Sequence, residues 1–264
     1  MITSSANPTV KRIRALRQRK ERDNTGLCFV EGVRQVAEAV QSGADVVQLV
    51  VAPALLTSPF ARELVAGQAA AGMPVVELAP AVFASISQKD GPQGLAAVVR
   101  QRWLTLSQAR LEAPPGWLAL VEPADPGNLG TIMRSADATG AAGVILIGPS
   151  ADPYDPVALR ASMGAAFAVG LARCTWEAFA QWKRSTGSFL LGTADSAPTD
   201  FQATRYPQPL VLLMGSERQG LSPEQQALCD RVVSIPMRGR ADSLNLAVAT
   251  GVMLYELLRQ QRGV

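Results

Sequence analysis

The sequence predicts an α/β protein made of two consecutive alternating blocks, the second larger than the first. Two observations carry this. Apolar runs of strand length recur along the chain and alternate with stretches whose apolar residues fall at helical spacing. A charged, polar stretch from Arg100 to Glu112, ending in Pro114-Pro115-Gly116, separates one alternating series from the next. At 264 residues and 48% apolar content, the chain can bury one large core or two modest ones. The expected organisation is a small domain over 1–102, a linker over 103–116 and a larger domain over 117–264.

In the first block, Val10, Ile13 and Leu16 at helical spacing predict an amphipathic helix whose other face is basic. A turn is expected at 23–26, then Phe29-Val30-Glu31-Gly32 and a helix over 33–41. Strand-like runs follow at 46–52, 74–78 and 95–99, with helical stretches at 60–71 and 80–86 between them. In the second block the strands fall at 117–121, 144–147, 188–193, 210–213 and 231–235. Helices are expected from Asn128, near 157–163, from Pro223 and through the C-terminal end. The apolar strands and their alternation with helices point to a mostly parallel sheet covered on both faces. No Gly-x-Gly-x-x-Gly or Walker pattern follows the first strand of either block, so dinucleotide and P-loop readings lack support.

Composition removes several chemistries. The chain has no histidine, which excludes a Ser-His-Asp triad, a Cys-His pair and His-containing metal sites. Cys28, Cys174 and Cys229 are odd in number and far apart, with no Cys-x-x-Cys pair, so ordinary buried thiols in a reducing compartment are expected and no metal. The N-terminal residues lack the apolar segment of a signal peptide, and a cytoplasmic location is expected. The longest apolar stretch, 244–258, is interrupted by Asn245, Thr250 and Glu256 and is shorter than the roughly 20 residues of a membrane span, so a buried helix is expected.

Charge is unevenly placed. The first 22 residues carry Lys11, Arg12, Arg14, Arg17, Arg19, Lys20 and Arg22 against Glu21 alone, a net +6 in a chain whose total is +3. A basic stripe on a helix is commonly just a solvated surface; it is also the footprint of a phosphate-binding face. Composition leaves both open.

The most informative residues are three loops, each following a predicted strand and each feeding a helix. They read Glu122-Pro123-Ala124-Asp125-Pro126-Gly127-Asn128 continuing to Arg134, then Met214-Gly215-Ser216-Glu217-Arg218-Gln219-Gly220-Leu221, then Ile235-Pro236-Met237 leading to Ser243-Leu244-Asn245. Ligands of open α/β sheets bind at such strand ends, against helix N-termini. Glycines there let backbone approach a ligand, while Asn128, Arg134, Glu217, Ser243 and Asn245 supply a cation, an anion and hydrogen-bonding groups.

The order and wording of these loops resemble the three signature motifs of the SpoU (TrmH-like) branch of the SPOUT RNA methyltransferases. The match holds at Asn128, Gly130, Arg134 and Gly140, at Gly215-Ser216-Glu217 and Gly220-Leu221, and at Ile235-Pro236-Met237 and Ser243-Leu244-Asn245. The opening Ser5-x-Asn7-Pro8-x-Val10-Lys11, with Glu31-Gly32, resembles the ribosomal-protein-like RNA substrate-binding domain that precedes the catalytic domain in many SpoU proteins. Together the two resemblances span nearly the whole chain.

That resemblance implies a trefoil-knotted catalytic domain and S-adenosylmethionine as cofactor, with Thr193, Gly215, Ile235, Met237 and Leu244 lining its pocket. It implies methyl transfer to a ribose 2′-hydroxyl of RNA, with ribosomal RNA favoured over transfer RNA; a noncatalytic RNA-binding protein on the same fold is the alternative from another class. Catalytic positions carried over are Asn128, Arg134, Glu217, Ser243 and Asn245. Arg134 reads either as a base or as a charged anchor, the latter being easier for a guanidinium, which gives up its proton only at high cost. Glu217 either orients Arg134 or the substrate, or stabilises a helix start; Asn128 and Ser243 also read as helix caps, and Asn245 as a residue inside the first turn of the last helix. Lys11, Arg12, Arg14, Arg17, Arg19 and Arg160 are the expected RNA contacts. Arg160-x-Ser162-x-Gly164 matches a further family feature, but the proline expected shortly after it is absent, with Val169-Gly170-Leu171 in that stretch. The family also implies a homodimer through the C-terminal domain, consistent with a last helix apolar over most of its circumference.

Overall fold

The computed structural model describes residues 1–88, 90–111 and 115–262, and it separates into two units. The first comprises Met1–Arg102 and Tyr154–Ala168, the second Trp103–Pro153 and Val169–Val264. The expected two-block order is therefore interrupted: a segment from the middle of the second block belongs to the first unit.

The first unit is built on a four-stranded sheet in the order β1 (Leu27–Glu31), β4 (Leu95–Arg100), β2 (Val46–Val51), β3 (Val75–Glu77). β4 runs antiparallel to both neighbours, and β2 pairs parallel with β3. Helices α3 (Val33–Gln41), α4 (Pro59–Ala70) and α5 (Pro80–Ile86) connect these strands. The prolines at the starts of α4 and α5 occupy a first-turn position where a missing N–H costs nothing.

The basic N-terminal segment is two helices rather than one. α1 (Pro8–Ala15) begins at Asn7, whose Oδ1 accepts from the Thr9 N–H at 2.8 Å, and α2 (Arg19–Thr25) runs through the expected turn. It stops at Gly26, whose φ of +66° is a left-handed cap most residues resist. Val10, Ile13 and Leu16 are buried as their spacing predicts, in a core with Phe29, Val50, Phe83 and Ile86. The cations divide. Arg22 is only 1% exposed: its Nη1 donates to the Leu16 and Arg17 carbonyls at 3.0 and 2.8 Å, in the turn that joins α1 to α2, and its Nη2 pairs with Asp155 at 3.3 Å. Arg14 donates to Ser85 Oγ at 2.8 Å and Arg17 to the Ser87 carbonyl at 2.7 Å, satisfying groups at the end of α5. Arg19 pairs with Asp23 at 3.6 Å on the surface. Of the expected stripe, Lys11, Arg12, Arg19 and Lys20 remain exposed. Arg160 is exposed on α7 (Pro156–Ser162), which Asp155 caps by accepting the Val157 N–H at 2.8 Å.

The second unit holds six strands, all paired in parallel, in the order β10 (Arg231–Val233), β8 (Phe189–Thr193), β9 (Leu210–Met214), β5 (Trp117–Val121), β6 (Gly143–Ile147), β7 (Gly170–Cys174). Alternate residues point to opposite faces. Trp117, Ala119 and Val121 of β5 join a core with Phe179 and Trp182 of α8 (Trp176–Thr186), while Leu118 and Leu120 on the other face are fully buried too. Both faces are thus covered, which is why the central strands read as continuous apolar runs. α6 (Pro126–Thr139) packs against α10 (Leu246–Gln261), and α9 (Pro223–Leu228) precedes β10.

Two elements, β7 and α8, are additions to the expected order. β7 is an edge strand with a mixed burial pattern, so its alternation is weak. α8 carries a readable start, Thr175, whose hydroxyl accepts from the Ala178 N–H. The described part of the expected linker packs within this second unit. The Leu104 N–H donates to the Leu171 carbonyl at 2.7 Å, and Trp117 Nε1 donates to the Arg110 carbonyl at 2.6 Å. Residues 112–114 of that stretch lie outside the described residues.

Candidate active site

The carboxyl ends of β10, β8, β9 and β5, four neighbours in the sheet, open onto one cleft of about 940 Å³. Small-molecule sites usually fall within about 300–1,000 Å³. Each strand end delivers one expected residue or motif. Thr193 closes β8, Gly215 follows β9, Ile235 and Met237 follow β10, and Asn128 lies beyond β5; Leu244 joins them from the loop before α10. The five expected cofactor positions all line the cleft.

Backbone geometry builds the second motif. Ser216 and Gly220 exchange both backbone hydrogen bonds, at 3.1 and 3.0 Å, so that 216–220 is a tight loop with Gly220 at φ +64°. Gly215 lies against this loop so closely that a Cβ there would sit 2.1 Å from the Gly220 carbonyl carbon. Glu217 therefore stands in the loop, not at a helix start; α9 begins later, capped by Ser222 and Gln225. The helix-dipole reading of Glu217 does not hold.

Glu217 instead joins the three motifs. Its Oε2 accepts from the Ala124 N–H and its Oε1 from Asn128 Nδ2, both at 2.9 Å; Asn128 Oδ1 accepts from Asn245 Nδ2 at 3.1 Å. The orientation of each group follows from the next. Asn245 is the N-cap of α10, its Oδ1 accepting from the Ala247 and Val248 N–H groups at 2.9 and 3.4 Å, which leaves only its amide nitrogen to face Asn128. Asn128 must then present oxygen to Asn245 and nitrogen to an acceptor, and a carboxylate is the side chain that accepts at both oxygens. Asn245 is thus a cap and not a first-turn residue, because the chain becomes helical only at Leu246. Asn128 and Ser243 are not caps: Asp125 caps α6, accepting the Asn128 N–H at 2.7 Å, and Ser243 lines the cleft outside α10.

Arg134 departs most from expectation. It is exposed on α6, does not line the cleft, and makes no hydrogen bond or ion pair among the described residues, including with Glu217. Both Glu217 oxygens already have partners, so the carboxylate does not orient Arg134.

The cleft wall mixes buried apolar side chains, Met214, Leu221 and Val233, with Met237, which is 38% exposed. Among the described residues that line it, four are carboxylates, Asp125, Asp195, Glu217 and Asp242, and one, Arg218, is a cation. Asp195 is outside the expected set, although it follows a predicted strand, where the strand-end rule points. An apolar floor and an anionic wall suit a ligand with a flat, weakly polar group and net positive charge. Burial pushes the thiols of Cys174 and Cys229 up to about 11 and about 12, so neither is a nucleophile near neutrality. Among the described residues no cluster of three or more His, Cys, Asp or Glu side chains is placed to hold a metal, and no helix is long and apolar enough to cross a membrane.

Residues 116–255 match the SpoU rRNA Methylase family, more than half of the chain. The chain belongs to that family. The first block matches the MRM3-like substrate binding domain over residues 7–97. An AdoMet-bound rRNA methyltransferase from Sinorhizobium meliloti superposes with a TM-score of 0.90 at 39% identity, covering 98% of this chain and 97% of that one. The 23S rRNA (uridine(2479)-2′-O)-methyltransferase of Streptomyces viridochromogenes is 34% identical, over 93% of this chain and 87% of that protein. The 23S rRNA (guanosine(2553)-2′-O)-methyltransferase RlmP of Bacillus subtilis is 28% identical, over 97% and 98%. For a SpoU protein the anionic, partly apolar cleft fits S-adenosylmethionine, whose sulfonium and ammonium groups carry positive charge and whose adenine is flat.

Proposed function

We propose that this chain transfers a methyl group from S-adenosylmethionine to a ribose 2′-hydroxyl of ribosomal RNA. The observation that carries the reading is the chain of hydrogen bonds Asn245–Asn128–Glu217, which ties three loops from separate strands around one cleft. The bound cofactor supplies an electrophilic methyl on a sulfonium. Thr193, Gly215, Ile235, Met237 and Leu244 hold it, and the carboxylates of the cleft favour the charged cofactor over its neutral demethylated product. Asn128, fixed at both ends of its amide, and Ser243 at the cleft edge position the target ribose. Arg134 acts as a charged group that anchors phosphate and stabilises the oxygen as its proton passes to solvent water, because a neutral guanidine is costly. Lys11, Arg12, Arg19 and Arg160, exposed on the first unit, bind RNA backbone; Arg14 and Arg17 are committed to α5 and contribute less.

Ribosomal RNA is favoured over transfer RNA by the substrate-binding block and by the names of the two 23S methyltransferases. Those two act on different nucleotides, a uridine and a guanosine, so the shared fold does not by itself select a base. The trefoil knot belongs to the same proposal and is supported by the sheet order, in which β9 lies between β8 and β5. A cytoplasmic location follows from an RNA substrate. Incubation with radiolabelled cofactor and unmodified ribosomal or transfer RNA, followed by nuclease mapping, tests the reading. Label on a ribose of ribosomal RNA is expected; cofactor binding and RNA binding without transfer would favour a noncatalytic RNA-binding protein.

The chain forms a homodimer through α10 in this proposal. Val248 and Tyr255, seven residues apart and so on one helix face, are 52% and 56% exposed, while Leu246, Met253, Leu254 and Leu257 face inward. Light scattering is expected to show a dimer for the wild type. Val248→Glu with Tyr255→Glu should shift it at least tenfold in concentration toward monomer.

A further inference from the structure

We propose that Arg218, Arg238 and Arg240 form a grip for the RNA phosphates that flank the target ribose, an assignment that rests on the methyltransferase reading. Arg218 lines the cleft from the tight 216–220 loop, next to Glu217. Arg238 and Arg240 stand in the irregular loop between β10 and α10. Met237 on one side of that pair and Asp242, Ser243 and Leu244 on the other all line the cleft, so the span carrying the two arginines is part of its rim.

All three side chains are exposed, and none makes a hydrogen bond or ion pair among the described residues. Several other arginines, though not Arg134, are engaged: Arg100 with Asp45 at 2.8 Å, Arg259 with Glu256 at 2.7 Å, Arg22 with Asp155. Gly239 separates the two rim arginines, and a Cβ there would meet nothing within 4 Å, so the loop is not packed down against the body of the unit. Three unpartnered guanidinium groups around one cleft are a constellation built for an external anion.

Electrostatics gives the constellation a purpose. Among the described residues the cleft lining carries four carboxylates against Arg218, a wall that attracts a cationic cofactor and repels a polyanion. RNA can bring a ribose to that wall only if cations at the rim neutralise the neighbouring phosphates. Arginine suits this because its planar fork matches two phosphate oxygens at once. The rim arginines and the acidic wall therefore sort the two substrates: positive cofactor inward, negative backbone outward.

The test compares wild type, the triple variant Arg218→Ala, Arg238→Ala, Arg240→Ala and the corresponding triple Lys variant, using a ribosomal RNA transcript that the wild type methylates. RNA affinity is measured from about 0.05 to 0.3 M salt, and cofactor affinity by calorimetry. The Ala variant should lose at least tenfold in RNA affinity at 0.1 M salt, and its log–log salt slope should flatten by about two to three, at roughly 0.7–0.9 for each phosphate no longer neutralised. Its cofactor affinity should stay within twofold, and the Lys variant should keep most of the slope. An unchanged slope in the Ala variant overturns the grip while leaving the enzyme reading intact. A loss of cofactor affinity with unchanged RNA affinity also overturns it, placing the arginines on the cofactor's carboxylate. Absence of methyl transfer by the wild type to any RNA refutes the reading beneath it.

Discussion

Arg134→Ala is expected to lower kcat/KM for RNA methylation by at least about 10³-fold, the scale on which loss of a group stabilising a developing oxyanion is felt, while cofactor affinity stays within about twofold. Arg134 is exposed on α6, outside the cleft lining and without a hydrogen bond or ion pair among the described residues, so its removal disturbs neither packing nor the cofactor walls. The same independence separates the two roles open to it. If Arg134 is a charged anchor, Arg134→Lys retains part of the activity, because a cation remains at the site although the fork is lost. A Lys variant as inactive as Ala, with a pH–rate profile of the wild type shaped by a group titrating near neutrality, would instead mark Arg134 as a base. Full activity of Arg134→Ala would remove it from the reaction altogether.

Gly215→Ala should abolish cofactor binding, with a loss of at least about 100-fold, and destabilise the second unit by about 1–3 kcal/mol. The added Cβ would stand 2.1 Å from the Gly220 carbonyl carbon and 2.4 Å from the Leu221 nitrogen. Neither is the end of a flexible side chain. Both belong to backbone held by the reciprocal Ser216–Gly220 hydrogen bonds, so relief requires the loop to move as a body. Moving it carries Glu217 away from Asn128 and Ala124 and undoes the link between the first and second motifs. Gly220→Ala is the instructive comparison. Nothing lies within 4 Å of a Cβ there, and its cost comes only from a φ of +64°. It should therefore destabilise by about 1 kcal/mol or less and spare most of the cofactor affinity. Calorimetry of cofactor binding and thermal unfolding of both variants check the contrast, and equal effects would mean that the close approach at Gly215 is not what shapes the cleft.

Much of this protein is legible in one dimension because the signals are local. The start of α5 at Pro80, the span of α3 over Val33–Gln41 and that of β5 over Trp117–Val121 follow from a proline, from helical spacing and from an unbroken apolar run. That the five expected cofactor positions line one cleft is legible for a related reason: they stand in loops that follow strands, where an α/β sheet presents ligands, in motifs whose wording the family shares. Charge and spacing also predict the buried face of α1.

The tertiary structure decides what depends on which strands become neighbours and where each polar atom finds a partner. Sequence order cannot say that β8 lies between β9 and β10, and that adjacency puts Thr193 beside the second and third motifs. Nor can it assign Asn245 to a helix cap, since an asparagine two residues after Ser243 reads equally well inside the turn; the distinction rests on which backbone N–H groups its Oδ1 reaches. Arg22 and Arg134 make the same point from opposite sides. Their places in the chain read as an exposed cation and a catalytic one. Yet Arg22 is buried against the Leu16 and Arg17 carbonyls, just beyond α1, and Asp155, while Arg134 stands apart from the carboxylate that could have oriented it. A cation's charge is written in the sequence, but whether it serves the fold or an external anion is set by the acceptors that folding brings within about 3 Å of it.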